Sequence, residues 1–170
     1  GDGAMIARTT DANSSALGRN ATTTGSNQVQ LGDSATTTYA YGAVQNRSDA
    51  RDKADVQDTH LGLDFIEALR PVEFRWDYRD DYRELVEDDD GNVQVVEHDR
   101  DGSKKRTRYH QGLIAQDVAK VCSDLGVDFG GLQHHEKAGG DDVWSIGYEE
   151  LIAPLIAAVQ SLSARVKELE

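Results

Sequence analysis

Cysteine is almost absent from this chain of 170 residues, since Cys122 is the only one. A single cysteine excludes an internal disulfide framework and cannot supply a multi-thiolate zinc site, so we expect a small apolar core residue here. Long apolar runs are also lacking, because no stretch approaches the roughly 20 residues that a membrane-spanning helix needs. The sequence therefore predicts no membrane partner.

Basic residues are few: 18 Lys and Arg stand against 31 Asp and Glu, for a net charge of -13. Nucleic-acid binding relies on clustered Lys and Arg, so this balance argues against a nucleic-acid partner. The charge is unevenly placed, because residues 1–47 carry three Asp and three Arg and are neutral, whereas all the excess acid follows Arg47. This predicts a boundary near residue 47.

The opening Gly1, with no basic and apolar leader after it, predicts a segment of a longer polypeptide.

The neutral part repeats itself. Residues 17–24 (LGRNATTT) align with residues 31–38 (LGDSATTT), with six identities in eight at a spacing of 14. One aliphatic position, a Gly and a run of β-branched Thr favour stacked short strands, a β-solenoid whose rungs cannot bury their faces alone. The pattern resembles the shaft repeats of trimeric adhesins and phage fibres, so we predict the end of a fibre shaft over residues 1–47, with a flexible linker as the alternative.

The acidic part, residues 48–170, has the pattern of an α+β domain, which we call the acidic domain. Helical spacing over Asp64–Leu69 ends at a proline, and period-2 alternation over residues 72–76 predicts a strand. Residues 82–87, 93–98 and 104–110 predict a three-stranded meander with two Asp-Gly turns, and residues 113–121 predict an amphipathic helix. The acidic turns at 88–90 and 99–101 lack calcium-loop spacing, and His134 and His135 should point apart, so we expect no metal and no cofactor.

The C-terminal segment, residues 150–170, has the clearest periodicity. Its apolar residues form an a/d heptad seam in which Pro154 fits only the first helical turn. The seam is Ile152, Leu155, Val159, Leu162, Val166 and Leu169. It predicts a trimerising coiled coil, although β-branched a and Leu d positions favour two strands by the parallel-coil rule, and a helix packed on its own domain is the alternative. The shaft repeat favours three chains, and this conflict stays open here.

Four ordered blocks carry a resemblance to a known family. They are Ser48-Asp49-x-Arg51-x-Lys53, then Leu69-x-Pro71-Val72-x-Phe74, then residues 112–118 (GLIAQDV), then Tyr148-x-x-Leu151-Ile152-x-Pro154 with residues 155–160. Together they resemble the endosialidase-type intramolecular chaperone, the C-terminal domain of phage tail spikes, tail fibres and neck appendages. The resemblance spans residues 48–170.

This resemblance implies a homotrimeric domain that helps the upstream shaft of the same polypeptide to fold and then cuts itself free. The cut falls between Arg47 and Ser48, with Ser48 as nucleophile, Lys53 as base, and Asp49 and Arg51 as possible support. It also implies action in the host cytoplasm during virion assembly, and release from the mature fibre afterwards. A lysine can be such a base only when desolvation or a nearby positive charge lowers its pKa, and Arg51 is the candidate for that charge.

The sequence leaves open how Ser48 and Lys53 meet and whether Ser48 is a nucleophile. A spacing of five residues is about 140° on an ideal helix, so Ser48 has to precede the helix, or an extended stretch or a neighbouring protomer has to complete the site. The plainer interpretation makes Ser48 an N-cap of a charged helix. The chain would then be a non-cleaving trimeric fibre tip with a structural or receptor-binding role.

Overall fold

The computed structural model describes residues 3, 11–87, 93–138 and 141–169 of the chain. These residues form a mixed α+β structure whose strands pair two by two, in the order β1-β2, β3-β6, β4-β5 and β7-β8. The strands are β1 (Ser15–Leu17), β2 (Val29–Leu31), β3 (Val72–Phe74), β4 (Arg83–Glu87), β5 (Val93–Glu97), β6 (His110–Gly112), β7 (Leu132–His134) and β8 (Trp144–Ile146). The α-helices are α1 (Leu63–Ala68), α2 (Ala115–Leu125) and α3 (Ile152–Leu169).

The repeated segment near the N-terminus contains two short parallel strands, which we call the rungs. Strands β1 and β2 pair in parallel with Ser15 opposite Val29 and Leu17 opposite Leu31, which is the 14-residue spacing of the repeat. Thr23 is fully buried, whereas Leu17 and Leu31 are 58% and 48% exposed. Residues 15–17 and 29–31 are therefore paired, and their larger apolar side chains lie uncovered in a single chain.

The core of the acidic domain lies between α1, α2 and the residue that precedes α3, Leu151. Phe65 of α1 stacks obliquely on Phe129 with ring centroids 5.4 Å apart. Val118 and Cys122 of α2 are buried in the same cluster, which confirms the apolar core role expected of the cysteine. Burial against this cluster raises the pKa of the Cys122 thiol, with the nearby carboxylate of Asp128 adding to the effect.

Local signals explain where the helices begin and end. Helix α1 stops before the Arg70-Pro71 step, because a residue that precedes proline avoids the helical region, and Leu69 is extended. Helix α2 ends at Gly126, whose φ of +65° is the left-handed conformation that favours glycine. A 3₁₀ turn at Tyr148–Leu151 continues into α3, so the C-terminal helical stretch has 22 residues with Pro154 in the first turn of α3.

The predicted meander is only partly present. Strands β4 and β5 form an antiparallel hairpin with Arg83 opposite Glu97, but the predicted third strand at residues 104–110 is wrong. Residues 104–108 (KKRTR) are exposed and offer no apolar face to bury, so only His110–Gly112 becomes a strand and it pairs with β3 instead. The strand predicted over residues 72–76 is correspondingly shorter, because Trp76 leaves the pairing and stacks on Tyr78.

Of the two predicted acidic turns, only the second lies among the described residues. The turn at Asp88 to Asn92 lies outside the described residues. At the second turn Gly102 has a φ of +80°, and the Ser103 N–H donates to the Asp101 carboxylate at 2.9 Å. This side-chain bond is the ordinary chemistry of an Asx turn. Within the described ranges, no helix has the length and apolar character needed to cross a bilayer.

Truncating Phe65 to Ala should destabilise the acidic domain by about 3–5 kcal/mol, the range for a buried Phe that leaves a cavity. Phe65 is 2% exposed and sits at the contact of α1 with Phe129. Urea denaturation followed by tryptophan fluorescence measures the change. Val56→Ala is the control, since Val56 is exposed and its truncation should change stability by less than about 0.5 kcal/mol. A loss below about 1 kcal/mol for Phe65→Ala would contradict the described core.

Candidate active site

A single tight turn organises the segment that follows the boundary near residue 47. Residues Ala50–Asp52 form one 3₁₀ turn, and Asp49 caps it by accepting a hydrogen bond from the Arg51 N–H at 2.9 Å. Aspartate suits this position because its short carboxylate reaches back to the free N–H groups of a helical turn. Lys53 ends the turn in an extended conformation, with its N–H bonded to the Ala50 carbonyl. No longer helix forms here.

This turn brings the side chains of Ser48 and Lys53 together. Ser48 precedes the cap and Lys53 follows the turn, so the chain doubles back and the Lys53 Nζ donates to the Ser48 Oγ at 2.7 Å. The 140° separation of an ideal helix does not apply to this pair, because neither Ser48 nor Lys53 lies inside a helix. The interpretation of Ser48 as an N-cap is wrong, since the cap is Asp49. Both Ser48 and Lys53 are exposed in the single chain.

The positive charge of Arg51 is directed at Asp49. The guanidinium Nη2 lies 2.6 Å from Asp49 Oδ2, and Nε lies 3.0 Å from Oδ1. The Arg51 side chain, together with the Arg51 backbone N–H, lowers the pKa of the Asp49 carboxyl. The same carboxylate raises the pKa of Arg51. Arg51 therefore has its counter-charge at short range, and Asp49 both caps the turn and holds this arginine.

Two side-chain contacts involve the residues that precede the Arg47-Ser48 bond. Arg47 Nε lies 2.8 Å from the carboxylate of Asp52, and the Asn46 amide donates to the carboxylate of Glu149. Asp52 and Glu149 were not identified from the sequence. Arg47 and Asp52 are five residues apart, a spacing that does not place two side chains on one face of a helix, so the sequence pattern does not indicate their pairing. Asn46 and Glu149 are 103 residues apart, so local pattern does not indicate their contact either.

One group of side chains has the composition of a metal site. Among the described residues, His134, Glu136 and Asp142 alone place three potential ligand atoms within 4.8 Å of one another. His134 Nε2 lies 3.1 Å from Asp142 Oδ1, and the Trp144 indole N–H donates to the same oxygen. His135 points elsewhere, toward Thr24 and Ser145, as expected for neighbouring residues. Hydrogen bonds account for these contacts, so we assign no metal to the group.

The heptad seam of α3 faces away from the domain. Its six residues are 45–88% exposed. A neighbouring stripe at the same 3-4 spacing, Leu151, Pro154 and Ala158, is buried, and α3 packs against α1. The helix thus does pack on its own domain, but through a different face from the seam. The seam is Ile152, Leu155, Val159, Leu162, Val166 and Leu169.

One family of known proteins matches part of this chain. Residues 48–127 match the model of a peptidase family described as the chaperone of endosialidase. The match covers a little under half of the chain and begins at Ser48, the residue that contacts Lys53. No curated protein matches the chain closely enough to count as a relative. The match over residues 48–127 thus supports an endosialidase-type chaperone domain and a chaperone role.

Proposed function

We propose that the chain is a trimeric C-terminal intramolecular chaperone that helps an upstream fibre shaft to fold and then releases itself by cutting the Arg47-Ser48 bond. The observation that carries this proposal is the 2.7 Å contact between Lys53 Nζ and Ser48 Oγ at the first residue of the family match. A serine hydroxyl becomes an effective nucleophile when a positioned base takes its proton. The family's description as a peptidase supports that chemistry for this pair.

The reaction uses one serine and one water. Ser48 Oγ attacks the carbonyl carbon of Arg47, and its proton passes to the Lys53 amine. The C–N bond then breaks as the Lys53 ammonium returns that proton to the leaving nitrogen, which leaves the Arg47 acyl group as an ester on Ser48 Oγ and frees the Ser48 α-amine. Water hydrolyses the ester, giving a new Arg47 carboxylate and restoring the hydroxyl. Each chain turns over once.

Exposure sets a condition on this chemistry. A lysine amine accepts a proton only when it is uncharged, and loss of water or a nearby cation favours that form. Lys53 and Ser48 are open to solvent in the single chain, and Arg51 is paired with Asp49. We therefore place the active state of the site in the trimer, where neighbouring protomers exclude water from the turn.

A trimer also explains the uncovered apolar surfaces. Leu17, Val29 and Leu31 on the rungs and the seam of α3 are all exposed in one chain. Three chains around a common axis would cover both sets, and joining the three rung segments through one domain raises their local concentration. The chaperone then acts on the nucleation of a fold whose contacts lie between chains, because bringing chains together is the entropic part of the barrier.

The test of the proposed function is the intact mass of freshly expressed protein. Pieces spanning residues 1–47 and 48–170 support self-cleavage. A chain that stays whole under all assembly conditions contradicts it and favours the non-cleaving fibre tip.

Asp49 should act as a positioning residue for the cut. Asp49→Ala removes both the cap of the turn and the partner of Arg51, so we expect cleavage to slow by about tenfold, because Ser48 and Lys53 are then held together less firmly. Asp49→Asn keeps the capping oxygen and should lose less. The pH profile separates the roles: because its pKa is lowered, Asp49 loses its charge only at pH values below the ordinary aspartate range. The Asn variant should therefore alter the pH dependence only below that range, and equal rates for all three chains at neutral pH would contradict this role.

A further inference from the structure

The rung segment, residues 11–36, is held to the acidic domain by polar contacts at two places. At the first, the Thr24 carbonyl accepts a hydrogen bond from the Asp141 N–H at 2.7 Å, and the Thr24 hydroxyl lies 2.7 Å from His135 Nδ1. The other ring nitrogen of His135 lies 3.2 Å from the Ser145 hydroxyl, which fixes the imidazole. Within the rung segment, the Gln28 side chain accepts from the Thr24 N–H at 2.8 Å. Thr24 and His135 are thus each oriented by a contact within their own part of the chain.

The second contact joins a rung serine to an ion pair. The Ser34 hydroxyl donates to Asp81 Oδ1 at 2.5 Å, and the other oxygen of Asp81 accepts from Arg106 Nη2 at 2.8 Å. The Asp81 side chain is only 15% exposed. If the Ser34 hydroxyl were absent, the largely buried Asp81 carboxylate would lose a hydrogen-bond donor but still bear the free-energy cost of its desolvation. Docking is therefore more favourable for a rung segment that presents a hydroxyl at this position.

Apolar burial contributes little to this docking. The larger apolar side chains of the rungs, Leu17, Val29 and Leu31, are exposed and so are not covered by the acidic domain. The acidic domain contributes loops and turns instead: Asp81 lies in the 3₁₀ turn Arg79–Tyr82, and His135 and Asp141 lie between β7 and β8. The contact therefore rests on oriented hydrogen bonds.

We propose that Asp81, Arg106, His135 and Asp141 form the surface with which the chaperone domain holds its client, and that its partner is the polar edge of the two rungs of the same chain. This rests on the proposed function for the identity of the client. While the Arg47-Ser48 bond is intact, the docking is intramolecular and works at an effective concentration in the millimolar range. After the cut it becomes an association of separate chains through a few hydrogen bonds. Docking and release thus follow from one surface without a conformational switch.

Hydrogen exchange by mass spectrometry, on the full chain carrying Ser48→Ala, tests the surface. The double variant Thr24→Val with Ser34→Ala removes the side-chain partners on the rung side. We expect the amides of β1 and β2 to exchange about tenfold faster, the effect of losing two ordinary hydrogen bonds, while the amides of α2 stay unchanged. Thr38→Val is the matched control, because Thr38 is the same position of the second repeat and makes no hydrogen bond with the described residues of the acidic domain.

Several outcomes would overturn the proposal. Rung exchange in the double variant equal to that of Thr38→Val means that the surface does not hold the rungs. Faster exchange in α2 means that Thr24 and Ser34 serve the fold of the acidic domain itself. Asp81→Ala and His135→Ala, made separately, remove the partners of Ser34 and Thr24 on the acidic domain. Unchanged exchange of the rung amides in both variants also overturns the proposal. Failure of self-cleavage is read independently, from the mass of the unmutated chain.

Discussion

A chain carrying Ser48→Ala should remain at full length under conditions in which the unmutated chain separates into residues 1–47 and 48–170. The substitution removes the only group that can form the ester, while the turn behind it keeps its Asp49 cap and its Arg47–Asp52 pair. Removing the nucleophile of a serine peptidase costs on the order of 10⁶-fold in rate, so no product should appear during expression and purification. Intact mass spectrometry and N-terminal sequencing measure the result.

Lys53 variants test the base separately. Lys53→Ala and Lys53→Arg should both block the cut, because alanine has no base and arginine stays charged, although arginine preserves the positive charge beside Ser48. Ser103→Ala is the control, since Ser103 is an exposed serine in a turn of the same domain and should cut normally. A new N-terminus at residue 48 in the Ser48→Ala chain would show that the nucleophile is elsewhere. Cleavage in Lys53→Arg would remove lysine from the mechanism.

The fold was predictable where local pattern and local structure coincide. The 14-residue repeat became the register of β1 on β2, because a repeat of that length states directly which residues stack. The proline at position 71 and the glycine at position 126 bound helices α1 and α2 as their backbone restrictions require. Each of these signals acts within a few residues of the feature that it determines.

Strand pairing was less predictable, because partners are chosen by the whole domain. The sequence places three runs in order and suggests a meander, yet β6 pairs with β3 across a long loop rather than with β5. The third run is charged and exposed, whereas β3 and β6 place Phe74 and His110 side by side. Burial of an aromatic face outweighed proximity along the chain.

The candidate site shows the same division. The types and spacing of Ser48 and Lys53 are visible in sequence, but the tight turn that joins them depends on Asp49 as cap, and a serine at the preceding position is an equally plausible cap on paper. The contacts at Asp52 and Glu149 follow from how the chain doubles back. Sequence spacing therefore gives the reacting pair, and only the fold gives its surroundings.

Placing aspartate at Leu155 and Leu162 should convert the trimer that we propose into a monomer at micromolar concentration. Each buried leucine contributes about 1.5–3 kcal/mol, so two in each of three chains remove about 9–18 kcal/mol per trimer, before the repulsion of six carboxylates is counted. A seam of under three heptads has no reserve of that size. The domain itself should stay folded, because both leucines are exposed in the single chain and the face of α3 that packs on α1 is a different one.

Sedimentation velocity measures the outcome, with Ala153→Asp and Gln160→Asp together as the matched control. These two residues have the same seven-residue separation but lie on the exposed side of α3 away from the seam. The control should sediment as the unmutated chain does. A trimer that survives Leu155→Asp with Leu162→Asp would place the assembly contacts elsewhere, and a dimer of the unmutated chain would mean that the a/d preference for two strands prevails over the rungs.

The same variant connects assembly with chemistry. If neighbouring protomers supply the dry surroundings that Lys53 needs, a chain that cannot associate should also remain uncut, although Ser48 and Lys53 are untouched and still 2.7 Å apart. A monomer that cuts at the normal rate would instead show that one turn, Asp49 to Lys53, is a complete active site. The first result makes cleavage a report on assembly, since a chain that has not found its two partners keeps its chaperone. That coupling would ensure that the domain is lost only after three shaft segments have been brought together.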